Sequence, residues 1–405
     1  MPNRLLWILS LVFITWMIWA ETSFQFFEHD LASSLALDPR SVALVGAAFL
    51  VPYGLMQIPV GWLLDHGQTE RLLLLGGAAA ASFTLVFSLG SSIAELLISR
   101  AGMGLACAVA FPASGLLARR CLPPERFSLA MGFTDSLLGV GAALAALMPM
   151  LIGLKDWRLV ATVQTGVISV VVVALVAVLL LDRQRNATAA AATADTPAPA
   201  ALQRKHPNQL LQGALIYAWG GGLLFGLGQY ALISQLRGWS GELQLQATLL
   251  LSLAISLSMV SCGALAQQRR RRWPLLLFAS SLVTMCLLLL STPAHGHGGV
   301  QLLAGAGLGL GIGSSVMAFP IAEEAAPPGR TALVVALVNT CGTVTGGFMQ
   351  LISGQLLQLD GPGNVTWTLM VYGLLSAAGI PLALWVRNSD ASTRARPSVV
   401  PSKVL

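Results

Sequence analysis

The chain has 405 residues, of which 55% are hydrophobic and only 10% are charged, with a formal net charge of +6. A soluble domain carries roughly 25% charged residues, so most of this chain must face something other than water. The basic excess does not indicate nucleic-acid binding, because most lysine and arginine residues flank apolar runs. The five cysteines lie far apart, in neither a disulfide framework nor a metal-binding pattern.

Continuous apolar runs of about 20 residues recur along the chain, and each can cross a hydrocarbon core of roughly 30 Å. Apolar and polar residues do not alternate within these runs, which indicates membrane-spanning helices and excludes the strands of a barrel. We predict an all-α integral membrane protein with twelve transmembrane helices. The predicted spans are residues 5–27, 41–64, 72–90, 93–118, 127–150, 159–181, 211–236, 244–266, 274–292, 300–322, 331–358 and 365–386.

Residues 182–210 interrupt this pattern, since they are rich in alanine, proline and charge. This composition predicts a flexible cytoplasmic linker without a core of its own. The predicted organisation is therefore a six-helix half at 1–181, the linker at 182–210, a second six-helix half at 211–386 and a disordered cytoplasmic tail at 387–405.

The distribution of basic residues predicts the orientation of the spans. If both termini are cytoplasmic, 18 of the 23 lysine and arginine residues fall on the cytoplasmic side. We expect a multi-pass protein of a bacterial-type plasma (inner) membrane.

An internal repeat supports two related halves. The segment Gly61-Trp-Leu-Leu-Asp65 follows span 2, and Gly263-Ala-Leu-Ala-Gln267 follows span 8, an offset of 202 residues. Both segments lead into a basic cluster on the same predicted side. Two six-span halves of parallel topology are a recurring transporter architecture, and we predict two pseudo-symmetric halves.

The loop after span 2 resembles a signature of the major facilitator superfamily. Gly61, Leu63, Asp65 and Arg71 match its spacing, although His66 stands where arginine is usual and Glu70 replaces a base. A second motif of this family is leucine, three residues, arginine, three residues, glycine, and residues 96–104 of span 4 fit it. The resemblance covers the whole chain. It implies the major facilitator fold, in which spans 1, 4, 7 and 10 line a central cavity.

Within this family, residues 53–65 and 323–342 resemble the branch with sugar-phosphate-permease-like and lysosomal dipeptide-transporter-like members. Many members of that branch have an arginine late in span 1, which suits an anionic substrate. Glu21 takes that place here. This departure argues against transferring phosphate recognition to this chain.

The loop after span 2 is predicted to act as a gate. Gly61 allows close approach of a helix, Asp65 can accept hydrogen bonds from a facing helix start, and Arg71 can pair with an acid. The alternative is an ordinary charged loop that sets topology. The second copy has Gly263 but carries Gln267 in the acid position, so we expect a weaker contribution there. Further charges at the same predicted gate are Glu323 and Arg330.

Ionisable residues at membrane depth indicate functional sites, because they are unfavourable in a bilayer. Glu21 and Arg100 are expected at similar depths, and we predict that they pair and face the cavity. A static ion pair that only orients spans 1 and 4 is the alternative, and Glu95 is a rival partner for Arg100. Asp135 has no base nearby in span 5, and a buried acid of this kind favours its neutral form, as a proton carrier requires. A protonated acid bonded to a neighbouring helix is equally consistent.

Polar residues within other spans are candidate substrate contacts, or they bond neighbouring helices. These candidates are Tyr53, Gln57, Gln229, Tyr230 and Asn339. Tyr53 and Gln57 lie four residues apart and share a helix face.

The sequence predicts a secondary active transporter that moves a small polar solute by alternating access. Proton-coupled symport of a zwitterion, a peptide or an organic anion is the preferred interpretation. The alternatives are a proton-coupled efflux antiporter of drugs or metabolites, and a transporter-like sensor or scaffold. The chain has no motif for ATP hydrolysis or nucleophilic catalysis, so we expect no enzyme activity, no cofactor and no metal. The expected partners are a small-molecule substrate, protons and the lipid bilayer, with no nucleic acid, and the chain is expected to be a monomer.

Overall fold

The computed structural model describes residues 2–67, 69–152, 156–189, 207–227, 241–291, 298–360 and 365–392. These residues are almost entirely helical and include no strand. In the described part, eleven segments are long and apolar enough to cross a membrane. The protein is therefore a multi-pass membrane protein with the predicted helical architecture.

Six spans form the first half. Their helices are Pro2–Thr22 continued by Phe24–Leu35, Pro39–Asp65, Thr69–Leu89, Ile93–Cys107 followed by Ala110–Cys121, Phe127–Ile152, and Trp157–Ala189. The second half repeats this arrangement. Its helices are Pro207–Leu227, Gly241–Ala266, Arg272–Ser291, Gly298–Ile312 followed by Ala318–Glu323, Thr331–Asp360, and Thr366–Ala377 followed by Gly379–Ser392. We refer to these helices as spans 1 to 12.

Several helices extend beyond the predicted limits. The helix of span 1 is followed by another that ends at Leu35, eight residues beyond the predicted end. Span 6 continues to Ala189, span 7 begins at Pro207, and span 12 continues to Ser392. Helix therefore occupies both ends of the predicted linker and the start of the predicted tail. Hydropathy marks where the apolar surface ends, whereas helix-favouring arginine, glutamine and alanine continue the backbone hydrogen bonds beyond it. Residues 190–206 and 393–405 lie outside the described residues.

The two halves meet along two seams, one between spans 2 and 11 and one between spans 5 and 8. Glycines allow close approach in both. A Cβ atom on Gly61 would lie 2.7 Å from Cβ of Ala336, and one on Gly263 would lie 2.8 Å from Cα of Gly132. Real Cβ contacts are not this short, so any larger side chain at either position must push the halves apart.

Spans 4 and 10 are both broken near their middles. Span 4 stops being α-helical at Cys107 and resumes at Ala110, and span 10 passes through a 3₁₀ segment at Gly313–Met317 before resuming at Ala318. Each resuming helix begins with Ala-Phe-Pro. Proline fits the first turn of a helix because the amides there lack partners within the helix, so this triplet is compatible with a fresh helix start.

Candidate functional site

A small cavity lies between the halves. Its lining side chains come from spans 1, 2, 5, 7 and 11. The polar ones are Glu21, Tyr53, Tyr217, Asn339 and Thr343. The space holds about one water molecule, so this conformation is closed around the site. Spans 4 and 10, which were expected to line a central cavity, contribute no side chain to the lining of this small cavity.

Three of the predicted polar residues form one hydrogen-bonded cluster across the seam between spans 2 and 11. Asn339 Nδ2 donates to Tyr53 Oη at 3.1 Å and to Gln57 Oε1 at 2.8 Å. All three side chains are buried, and Gln57 Nε2 has no hydrogen-bond partner among the described residues. A buried donor without a partner is unfavourable, which makes it a candidate for bonding a ligand or water. Tyr53 and Asn339 also line the cavity.

Asp135 is fully buried and touches the opposite half. Tyr217 Oη, from span 7, donates to Asp135 Oδ1 at 3.2 Å. Asp135 Oδ2 has no hydrogen-bond partner in the described part of the chain, and no base pairs with this carboxyl there. The arrangement can hold a proton next to the cavity.

Arg100 does not form the predicted ion pair with Glu21. Its Nη1 donates to the carbonyl of Ala20 at 3.3 Å, and its guanidinium lies over three aromatic rings. The guanidinium carbon is 5.0 Å from the ring centres of Phe24 and Phe49 and 5.9 Å from that of Phe87. Aromatic faces attract a cation, so the rings replace the carboxylate as the principal neighbours.

Glu21 lines the cavity, where Thr22 Oγ1 donates to its Oε2 at 3.2 Å. Arg100 bonds the carbonyl of the residue before Glu21, so the two residues lie at similar heights in the bundle, but similar height does not define rotation about the helix axis. The rival partner Glu95 is also excluded. Glu95 forms a capping box with Ser92 at the start of span 4 and accepts the Ser91 amide at 2.7 Å.

The opposite end of the bundle from Glu95 carries Asp65, Arg119 and Glu323, and we call it the inner end. It is the predicted cytoplasmic side. Asp65 Oδ1 and Oδ2 accept the amides of Ala332 and Leu333, each at 2.9 Å. Those amides belong to the first turn of span 11, where a carboxylate satisfies unpaired donors and complements the helix dipole.

A second inner-end contact joins the halves through charge. Arg119 Nε donates to Glu323 Oε1 at 2.7 Å. Arg330 lies just before span 11 and, like the exposed Arg71, forms no ion pair with any described residue. The predicted acid partner of Arg71 is therefore absent from the described part. Arg120 contacts this region instead and donates to Thr69 Oγ1 at 3.1 Å.

The seam between spans 5 and 8 repeats the glycine contact without the acid. Ser128 Oγ donates to the carbonyl of Gly263 at 2.9 Å. Gln267, in the position of Asp65, is exposed and forms no hydrogen bond with the described residues. The second copy is thus an uncharged contact through Gly263, and its expected weaker contribution stays a prediction.

Two predicted site residues, Gln229 and Tyr230, lie outside the described residues. Three residues of the site were missed from the sequence, namely Tyr217, Thr343 and Arg119. Tyr217 lies in the same predicted span as Tyr230, which was chosen instead, and Arg119 was counted only as a topology charge. Repetition of Ala-Phe-Pro at residues 110–112 and 318–320 was an available signal for the inner ends of spans 4 and 10.

The fold is that of a membrane protein with two related six-helix halves around a small central cavity that both apolar and polar side chains line. Residues 6–350 match the Major Facilitator Superfamily, and the chain therefore belongs to this family. The crystal structure of the human organic anion transporter MFSD10 (TETRAN) has a TM-score of 0.69 with this chain at 15% sequence identity. The match covers 95% of this chain and 100% of MFSD10, and it shows a shared fold.

Curated relatives are similar over shorter segments. A probable galactarate/D-glucarate transporter, GudP of Escherichia coli K12, is 28% identical over 148 residues, or 33% of this chain and 32% of GudP. A probable sulfoacetate transporter, SauU of Cupriavidus necator, is 25% identical over 125 residues, or 31% of this chain and 29% of SauU. The alignments thus span about a third of the length of these relatives.

Proposed function

We propose that this chain is a secondary transporter that moves a small organic acid across the membrane by alternating access. The observation that carries this proposal is a cavity with five polar side chains in its lining, between two halves whose inner ends are held together by contacts that can break. Asp65 with span 11 and Arg119 with Glu323 are such contacts. Partly solvated contacts of this kind contribute on the order of 1 kcal/mol each, so substrate binding can shift the balance between closed and open states.

Proton coupling is proposed for Asp135 together with Glu21. Asp135 bonds Tyr217 of the other half, so its protonation state bears directly on a contact between the halves. Glu21 lies on the cavity wall, where protonation of its carboxylate would remove the repulsion of an anionic substrate. Proton entry with an anionic solute reduces the net charge that crosses the membrane, which favours symport of an acid.

The substrate class is proposed from two sources. The relatives are named for a sugar acid and for sulfoacetate, and the structural neighbour is named for organic anions. In this chain, Arg100 is a buried cation without a carboxylate partner in the described part, and Asn339, Tyr53 and Gln57 offer donors and acceptors suited to hydroxyl or carboxyl groups. Cytoplasmic termini in a bacterial-type inner membrane, and a monomeric state, belong to the same proposal.

The first test is a thermal-shift screen of the purified full-length chain. The ligands are galactarate, glucarate, sulfoacetate, sugar phosphates, amino acids, dipeptides and cationic drugs. A ligand that binds only the folded state stabilises it by about 2.7 kcal/mol at 100 times its dissociation constant. We expect organic acids to raise the melting temperature and Asn339→Ala to remove that shift. Stabilisation by cationic drugs alone would favour an efflux antiporter, and stabilisation by no class would favour a sensor.

The second test is uptake of the identified acid into proteoliposomes under an imposed pH gradient. The parent protein should accumulate the acid, whereas Asp135→Asn and Glu21→Gln should bind it but fail to accumulate it. Full accumulation by both variants would exclude the proposed coupling. Ser136→Ala is a suitable control, because the side chain of Ser136 bonds only the carbonyl of Phe133 in its own helix, and its backbone carbonyl, which accepts from Ser256, is kept.

A further inference from the structure

One side of span 9 faces lipid along its length and ends in an arginine. Phe278, Met285 and Leu288 are exposed by 68%, 53% and 63%, and large apolar side chains exposed on a membrane-spanning helix face the acyl chains. Their spacing of seven and three residues places them on one side of the helix. The exposed Pro274 and Arg271 continue this spacing towards the inner end. We call these five residues the span 9 stripe.

The inner end of the stripe lies at the depth of the lipid headgroups. Residues 269–271 form a short 3₁₀ turn, and span 9 begins directly after it. Arg271 precedes Phe278 by seven residues, or about 10 Å along the helix axis. Trp273 is partly buried in the first turn of span 9, and tryptophan is enriched at the boundary between lipid and water. The exposed guanidinium groups of Arg270 and Arg271 are therefore within reach of lipid phosphates on the inner side.

The charge of these two arginines is not neutralised within the described part of the chain. The neighbouring Arg272 is buried, and its Nη1 donates to Glu324 Oε1 at 2.8 Å. Neither Arg270 nor Arg271 forms a side-chain hydrogen bond or an ion pair with a described residue. One arginine of the cluster thus serves the protein interior, whereas the two exposed ones are directed to the surroundings.

The corresponding turn of the first half lacks this charge. An offset of 202 residues aligns residues 269–273, Arg-Arg-Arg-Arg-Trp, with residues 67–71, Gly-Gln-Thr-Glu-Arg. The glutamate and the arginine of the first-half turn cancel, whereas the second-half turn has four arginines and no acid. Orientation of a chain in the membrane requires only an excess of basic residues on one side. A concentration of arginines at the end of a lipid-facing stripe is a more specific arrangement.

We propose that Arg270 and Arg271 bind the phosphate group of an anionic phospholipid of the inner leaflet, whose acyl chain lies along the span 9 stripe. Guanidinium groups bind phosphate oxygens through paired, charge-assisted hydrogen bonds, and basic clusters beside membrane spans attract anionic lipids. A free phosphate ion would gain only the charged contact, whereas a lipid also covers the apolar side of the helix. Span 9 contributes no side chain to the lining of the cavity, so this site is separate from that of the transported solute.

The test measures lipid binding to the purified full-length protein by native mass spectrometry. Palmitoyl-oleoyl phosphatidylglycerol is titrated in parallel with palmitoyl-oleoyl phosphatidylcholine, which has the same acyl chains and no net charge. We expect phosphatidylglycerol to bind the parent protein more tightly. Arg270→Gln and Arg271→Gln should each weaken its binding about fivefold, the effect of one arginine near an anionic membrane surface. Binding of phosphatidylcholine should stay unchanged in both variants.

Arg126→Gln is the matched control. Arg126 is also exposed at the inner end, but it precedes span 5, which packs against span 8 between the halves. The affinity of this variant for phosphatidylglycerol should equal that of the parent. Two further controls define the ligand. Excess inorganic phosphate should not displace the bound lipid, and dihexanoyl phosphatidylglycerol should bind more weakly than the long-chain lipid.

Equal affinity of the parent for the two long-chain lipids would overturn the proposal, as would an equal loss in Arg126→Gln. Displacement by inorganic phosphate, or equal binding of the short-chain lipid, would indicate a phosphate site without a lipid and would overturn it too. The melting temperatures of the variants without added lipid show that they are folded. These titrations contain no transported acid, so their outcome is independent of the ligand screen.

Discussion

Asp65 and Ala332, 267 residues apart in sequence, are joined by a hydrogen bond of 2.9 Å between a carboxylate oxygen and the first-turn amide of span 11. The second carboxylate oxygen bonds the next amide, so a single side chain at the end of span 2 serves two unpaired donors of the opposite half. This contact can only exist while the inner end is closed. It therefore provides a direct way to perturb that state.

Asp65→Asn should favour the open inner end. Asparagine has one oxygen acceptor and no charge, so it loses one amide bond and the favourable interaction with the helix dipole, together about 1–2 kcal/mol. Spin labels at the exposed positions Arg71, just after span 2, and Pro328, just before span 11, report the distance between the halves at this seam. Their distance distribution should shift towards longer values. Gln267→Ala, at the corresponding position of the second half, should leave the distribution unchanged, and an equal shift in both variants would refute a specific role for the acid.

Gly61→Ala should separate spans 2 and 11. The added Cβ would lie 2.7 Å from Ala336 Cβ and 2.9 Å from the Ala332 carbonyl oxygen, and overpacking of this kind destabilises by about 1–3 kcal/mol. The melting temperature should fall and the spin-label distance should lengthen. Gly166→Ala is the control, because no atom lies within 4 Å of its added Cβ. A comparable loss in Gly166→Ala would indicate a general helix effect.

Glu323→Gln should weaken the closed inner end through loss of the contact with Arg119. Exchanging the two charges, in Arg119→Glu/Glu323→Arg, should recover part of the spin-label distribution that either single reversal loses. Glu324 is a useful neighbour for comparison, since its Oε1 accepts a 2.8 Å bond from Arg272 within the same half. Glu324→Gln should lower the melting temperature without changing the distance between halves. Absence of recovery in the exchanged variant would count against the ion pair.

Exchange of Glu21 and Arg100 should not restore the melting temperature of the parent, because the two side chains form no direct ion pair and the exchange removes the guanidinium from its three rings. Arg100→Lys should lower the melting temperature, since lysine lacks the planar guanidinium that lies over three rings. A desolvated cation over an aromatic face contributes about 2 kcal/mol of interaction free energy, and lysine would retain only part of this contribution. Thermal unfolding of Arg100→Lys, Glu21→Arg, Arg100→Glu and the exchanged variant tests both statements. Recovery in the exchanged variant would show that the two charges do interact.

Asn339→Ala should loosen the cluster that joins spans 2 and 11 at the cavity. The substitution removes the donor to Tyr53 and Gln57. The buried polar atoms that lose their partner should lower the free energy of unfolding by about 1–3 kcal/mol. Tyr53→Phe should destabilise the parent but have little further effect in the Asn339→Ala background. A double-mutant cycle of unfolding free energies measures this coupling. Additive losses would mean that the two side chains act independently.

The sequence was sufficient for the architecture and for one contact in detail. Long apolar runs predicted the spans, and the acid after Gly61 predicted a contact with a helix start, which Asp65 makes at span 11. Tyr53, Gln57 and Asn339 were each predicted as polar candidates. That they bond one another followed only from the structure, because residues almost 290 positions apart have no periodic relation.

The failures have a common physical origin. The rise per helical residue locates Glu21 and Arg100 in depth, but rotation about the helix axis depends on packing with neighbours. Arg100 consequently faces Phe24, Phe49 and Phe87 rather than Glu21. Breaks in spans 4 and 10 were also missed, since hydropathy stays high where the backbone departs from α-helical geometry.

The two seams differ in electrostatic character, because an ionised Asp65 caps span 11 whereas an uncharged Gln267 stands at the corresponding place beside span 5. Mobile ions screen exposed charge interactions, with a Debye length of about 8 Å at physiological ionic strength. They have little effect on a close backbone contact such as that of Gly263 with Gly132. Raising ionic strength should therefore loosen the span 2–span 11 seam while the span 5–span 8 seam stays closed. Under these conditions the two halves would rotate about the span 5–span 8 seam, which would act as the hinge.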